Sequence, residues 1–217
     1  MDLDAIARDL AAALEGGQAR RAKNAQERVI TGRLRGVHVT LSCDGSNQLR
    51  GWRVHAKGAA PPLLVSVDKR AIGETSEPIP TGDAAFDAEW IVTGAPADTA
   101  RLLVDEAVRA AVARAGDVSF AIDDGAVDLS GPNTGAFYGA ADVLRGAELV
   151  VLLRERLAAL ARSGVGAGAD AERAVAARRA ADERVFANVS WPGRVALIAA
   201  GLLLAAAVIF GVRGCFG

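Results

Sequence analysis

The chain has 217 residues, 51% of them hydrophobic and 24% charged, and a formal net charge of −1. That length suffices for one or two domains with a real core. Near-neutrality argues against a general nucleic-acid binder, which carries a basic domain, and two cysteines are too few for a disulfide framework.

Leu3, Ile6, Ala7, Leu10 and Leu14 recur at the spacing of one helical face, and Gly16-Gly17 is expected to end that helix. From residue 19 to 35 the chain carries Arg20, Arg21, Lys23, Arg28, Arg33 and Arg35 against Glu27 alone. This stretch reads as a solvated charged face, or as one lying against anionic headgroups, where each charge is worth about 1 kcal/mol.

Strands follow. Val37, Val39, Leu41 and Cys43 alternate with polar residues, CDGSNQ turns the chain, and Trp52, Val54 and Ala56 alternate on the way back. Pro61-Pro62 precedes a third strand, Leu63 to Val67. Phe86, Ala88, Trp90 and Val92 suggest a fourth, ended by Gly94. Asp98 is expected to cap one helix running to about Ala115, with Val104, Val108 and Val112 stacked at i+4, until Gly116 stops it. Val118, Phe120 and Ile122 run into Asp124-Gly125, a strong hairpin signal, and Val127 and Leu129 return. A long helix is expected from about Phe137 to Arg162. The pattern defines an α+β domain over residues 1–163, an antiparallel sheet covered by two or three helices.

Residues 164–194 read as a Gly/Ala-rich spacer, GVGAGA, followed by a charged juxtamembrane helix or stalk interrupted by Pro192-Gly193. Val195 to Val212 then form an 18-residue run without a charged or polar side chain. As a helix it covers about 27 Å, close to the ~30 Å of hydrocarbon in a bilayer. Ten of its residues are Leu, Ile, Val or Phe, so insertion is favoured by roughly 3 to 6 kcal/mol. Trp191 and Arg194 before the run, and Arg213 after it, suit the membrane interface. A single C-terminal transmembrane helix with a short tail, 213–217, is therefore expected.

The opening MDLDAIARDL is acidic and amphipathic, unlike a secretory signal. Arg173, Arg178, Arg179, Arg184 and Arg194 precede the run and Arg213 follows it, so the N-terminal domain is expected in the cytoplasm, at an inner (cytoplasmic) membrane. Cys43 and Cys215 then lie on opposite sides of the bilayer. Ala196/Ala200 and Gly201/Ala205 offer a small-residue face on which the helix could pair in a homodimer.

Chemistry is sparse. The G-x-G-x-x-A at Gly164, Gly166 and Ala169 follows a helix rather than a strand, which argues against a dinucleotide site. His38 and His55 fall on the polar parity of their strands and are expected to share a sheet face, without a third ligand to make a zinc site. Asp123, Asp124 and Asp128 are explained by turn chemistry. No catalytic, cofactor-binding or metal-ligating residue is assigned.

The segment Gly82 to Val112 carries a distinctive pattern: Gly82, Asp83, Phe86, Asp87, Trp90, Val92 and Gly94, then Ala100, Arg101, Leu102 and Leu103. With the V-x-F-x-I-D-D-G hairpin that follows, it resembles bacterial membrane-associated proteins of a domain-of-unknown-function class, over about residues 82–130. The resemblance implies membrane association and supplies no activity. Two readings follow. One is a C-terminally anchored, non-enzymatic interaction or scaffolding module whose partners are the bilayer and another protein. The alternative is a membrane-surface enzyme using Asp83/Asp87 or Asp123/Asp124 as acid–base groups or Mg²⁺ ligands.

Overall fold

A computed structural model describes residues 2–23, 26–45, 48–70, 77–131 and 138–188. The expected span 195–212, with Val195 and Val212 at its limits, lies outside the described residues, as do Trp191, Arg194, Arg213 and Cys215. Among the described residues no helix is long and apolar enough to cross a membrane.

Helix α1 (Leu3–Ala13) opens the fold, with Asp2 at its N-cap. Four strands follow as a meander, β1 (Glu15–Arg21), β2 (Glu27–Leu34), β3 (Val37–Asp44) and β4 (Gly51–Lys57). The second half contains β5 (Leu64–Lys69), α2 (Ala84–Glu89), β6 (Trp90–Ala95), α3 (Ala97–Leu103) and α4 (Glu106–Ala115). It continues with β7 (Ser119–Asp123), β8 (Ala126–Ser130), α5 (Ala140–Ser163) and α6 (Ala169–Asn188). All eight strands join one sheet in the order β1-β2-β3-β4-β8-β7-β5-β6, and every pairing is antiparallel. The α+β class with an antiparallel sheet and packed helices is thus observed.

Period-two alternation sorts the sheet into two faces. Ile30, Val39, Leu41, Val54, Phe120, Ile122, Val127 and Leu129 are buried on one of them, in a core shared with Leu3, Ile6 and Leu10 of α1 and Leu149, Leu153 and Leu157 of α5. Trp52 of β4 is 3% exposed and lies between two glycines. A Cβ at Gly131 would stand 2.2 Å from its ring, and one at Gly146 of α5, 2.3 Å. Arg154 of α5 is buried and donates to the carbonyls of Gly125 (2.9 Å) and Ala59 (2.8 Å), tying the helix to two loops.

Several expectations are corrected. Gly16-Gly17 lie inside β1 rather than stopping the helix, whereas the basic stretch 19–35 falls mostly on β1 and β2, an edge hairpin on which Arg20, Arg21, Lys23, Arg33 and Arg35 are exposed. Arg28 is buried and bonds Asp4 at 2.5 Å, and Arg21 bonds the same carboxylate at 3.1 Å. Residues 84–89 are helical, so the strand expected from Phe86 begins only at Trp90. The cause is local: Asp83 accepts the N–H groups of Ala85 and Phe86, each at 3.1 Å, as an N-cap does. Phe86 and Trp90 are four apart, and their rings stack at 6.0 Å between centroids.

The single helix expected from Asp98 to Ala115 is two. Val104 leaves helical geometry, and Asp105 caps α4 through the N–H of Val108 at 2.9 Å. The residue before α3 is Pro96, while Asp98 sits in its first turn and bonds Arg101. The chain divides into compact units Met1–Val175 and Ala176–Gly217. The first buries Ala171 and Val175. Of the second, residues 176–188 are described, and they are helical.

Candidate functional site

The polar parity of the sheet makes a second face. Across the strands one row runs Gln18, Thr31, Thr40, His55, Asp128, Ala121, Ser66 and Thr93. A neighbouring row contains Ser42, Arg53, Ser130 and Ser119. These side chains are exposed or half-buried. A shallow concavity of about 350 Å³ lies there, bordered by Arg53, Ser66, Asp68, Ser119, Asp128 and Ser130.

His38 and His55 do share this face, as their parity suggested. They do not act together: His55 Nδ1 instead meets Asp128 Oδ1 at 2.7 Å. The polar groups around it satisfy one another. Ser66 Oγ donates to Asp68 at 2.5 Å, and the hydroxyls of Ser119 and Ser130 are 3.1 Å apart. Among the described residues no group of three or more His, Cys, Asp or Glu is arranged to hold a metal ion.

Of the carboxylates considered for catalysis, those of Asp83 and Asp87 accept hydrogen bonds that hold local structure. Asp83 is held below the usual carboxylate range, first by the Phe86 N–H and then by the Arg109 guanidinium at 3.3 Å. Asp87 accepts from the Thr81 N–H at 3.1 Å and from its hydroxyl at 2.8 Å. Asp124 has φ +48 and Gly125 φ +72, so together they make the two-residue β7–β8 turn in which both central residues need positive φ. Cys43 is buried, which pushes its thiol up to about 12 and makes it a poor nucleophile.

A second recess lies between α4 and α5, which the periodicity did not reveal. Ala110, Ala111, Leu149 and Leu152 form its floor, and Arg35, Arg114 and Arg145 its rim. The His55–Asp128 pair was equally hidden: it depends on β4 pairing with β8, across 73 residues of chain.

No protein-family model matches this chain, and no curated protein matches it either. Among solved structures, the chain is similar to the crystal structure of the mycobacterial trehalose monomycolate transport factor A, TtfA, with a TM-score of 0.51 at 13% identity. The alignment covers 70% of this chain and 93% of that one. At such identity the likeness is one of fold.

Proposed function

We propose that this chain is a membrane-tethered, non-enzymatic interaction module. The α+β domain engages a protein partner, and the apolar run 195–212 holds the pair at a bacterial inner membrane with the domain in the cytoplasm. The observation that carries the non-enzymatic half is the use made of the acidic groups. Asp83 caps a helix and Asp87 orders the Thr81 loop. A carboxylate committed to a cap or to ordering a loop is poorly placed to move protons for a substrate.

The tether rests on the length and composition of the run and on the arginine bias before it. The resemblance over residues 82–130 to membrane-associated proteins agrees with it. The fold shared with a protein named as a transport factor suits an accessory role of this kind. Pairing of two chains through the small-residue face of the span is part of the same proposal.

Membrane fractionation of the full-length protein tests the tether, and in-cell crosslinking after gentle detergent extraction tests the module. Retention through high-salt and carbonate washes, with a discrete crosslinked partner, is expected. Release by carbonate would remove the tether, and a chain that crosslinks to nothing would remove the module.

A further inference from the structure

We propose that the recess between α4 and α5 binds the headgroup of an anionic phospholipid, phosphate against the arginines and glycerol end on the apolar floor. Its volume is about 450 Å³, within the range of small-ligand sites. A single α-helical turn about 10 Å across and 5.4 Å long already fills roughly 420 Å³. The recess therefore takes no more than about one turn of a helix, and its size suits a headgroup with the first part of its chains.

The charge around it is unbalanced. Arg35, on the β2–β3 turn, and Arg114, on α4, are exposed and make no ion pair among the described residues. Arg145, on α5, pairs with Asp142. Glu148 is the one carboxylate in the lining. Guanidinium forks match phosphate oxygens, whereas the floor of Ala110, Ala111, Leu149 and Leu152 offers an inorganic ion nothing.

The backbone at Arg35 points the same way. Its φ is +52 and that of Gly36 is +78, so this two-residue turn sets a long cationic side chain where Asn, Asp or Gly fits best. The turn places the Arg35 side chain at the mouth of the recess, opposite Arg114 and Arg145.

The test uses the full chain in a neutral maltoside detergent, so it reads the recess whether or not residues 195–212 span a bilayer. Calorimetry with dihexanoyl phosphatidylglycerol, dihexanoyl phosphatidylcholine and inorganic phosphate separates anionic lipid, zwitterionic lipid and free anion. Phosphatidylglycerol should bind at least about tenfold tighter than either of the others, a gap that charge-assisted bonds plus an apolar contact can supply. The double variant Arg35→Gln/Arg114→Gln should lose about tenfold or more of that affinity, since each guanidinium contributes a charge-assisted bond. Ala110→Trp, at an exposed position, should block the floor and remove phosphatidylglycerol binding with the arginines intact. Equal binding of the two lipids, phosphate binding as tight as phosphatidylglycerol, or either variant binding like the parent would overturn the proposal.

Discussion

Replacing Gly146 with alanine adds one methyl group where the structure has no room for it. In most helices this exchange stabilises, by about 1 kcal/mol from backbone propensity. In α5 the new Cβ would stand 2.3 Å from Trp52 Cζ3, 2.4 Å from Cη2 and 3.2 Å from Leu129 Cδ2. The ring would have to retreat by more than about 1 Å to reach ordinary contact. Its other side closes on Gly131, where a Cβ would be 2.2 Å away. Overpacking of this kind costs about 1–3 kcal/mol, and a ring confined on both sides belongs at the upper end. The net effect is then a loss of about 2 kcal/mol, or roughly 4–8 °C in Tm for a domain of this size. Thermal melts of the full chain in mild detergent, followed by circular dichroism, measure it. In a Trp52→Leu background the same exchange should become neutral or stabilising, because the obstructing ring is gone. A Tm for Gly146→Ala at or above the parent's would refute the reasoning.

Trp90, 5% exposed and stacked on Phe86, should cost about 3–5 kcal/mol when changed to alanine, seen as an earlier urea midpoint. Arg35→Asn should stabilise the domain by up to about 1 kcal/mol, because asparagine tolerates positive φ better than arginine does; a lower Tm would contradict the turn assignment. Asp4 is held below the usual carboxylate range, chiefly by its bond to Arg28. A carboxylate depressed in the folded state contributes stability that is present above about pH 4 and lost as pH falls through the folded value. Asp4→Asn should therefore flatten the fall in stability below about pH 4, and an unchanged acid limb would show that other groups dominate it. Cys43, buried and raised to about 12, should resist a thiol reagent at about pH 8 in the folded protein and react on denaturation, since the thiolate is the nucleophile.

The legible parts of the fold were those whose periodicity had a single reading. Val37 to Cys43 and Trp52 to Ala56 alternate without ambiguity, and Asp124-Gly125 announces its hairpin, so β3, β4, β7 and β8 could be read directly. β1 was hidden because an exposed edge strand, EGGQARR, has no apolar face to alternate. In β2 the inward positions are Arg28, Ile30, Gly32 and Leu34, and two of those four are not apolar side chains. Phe86 and Trp90 satisfy both periods, since four residues return a strand to the same face and a helix to nearly the same one; the Asp83 cap decides between them. Val104, Val108 and Val112 keep helical spacing across the break at Asp105, which concealed it. Neither the His55–Asp128 contact nor the arginine-rimmed recess is visible in local pattern, because each joins elements distant in the chain.

The position of β8 between β4 and β7 has a consequence for synthesis. β4 leaves the ribosome with one edge paired to β3, while the partner for its other edge, Ala126 to Ser130, is roughly 70 residues further on. At about 5–20 residues per second, that edge stays open for about 4 to 14 s. During that interval the nascent chain presents unpaired backbone next to Trp52 and Val54, the geometry from which strands join the wrong neighbour. Substitutions that slow the arrival of β7 and β8 should therefore lower the yield of folded protein without changing the stability of the molecules that do fold.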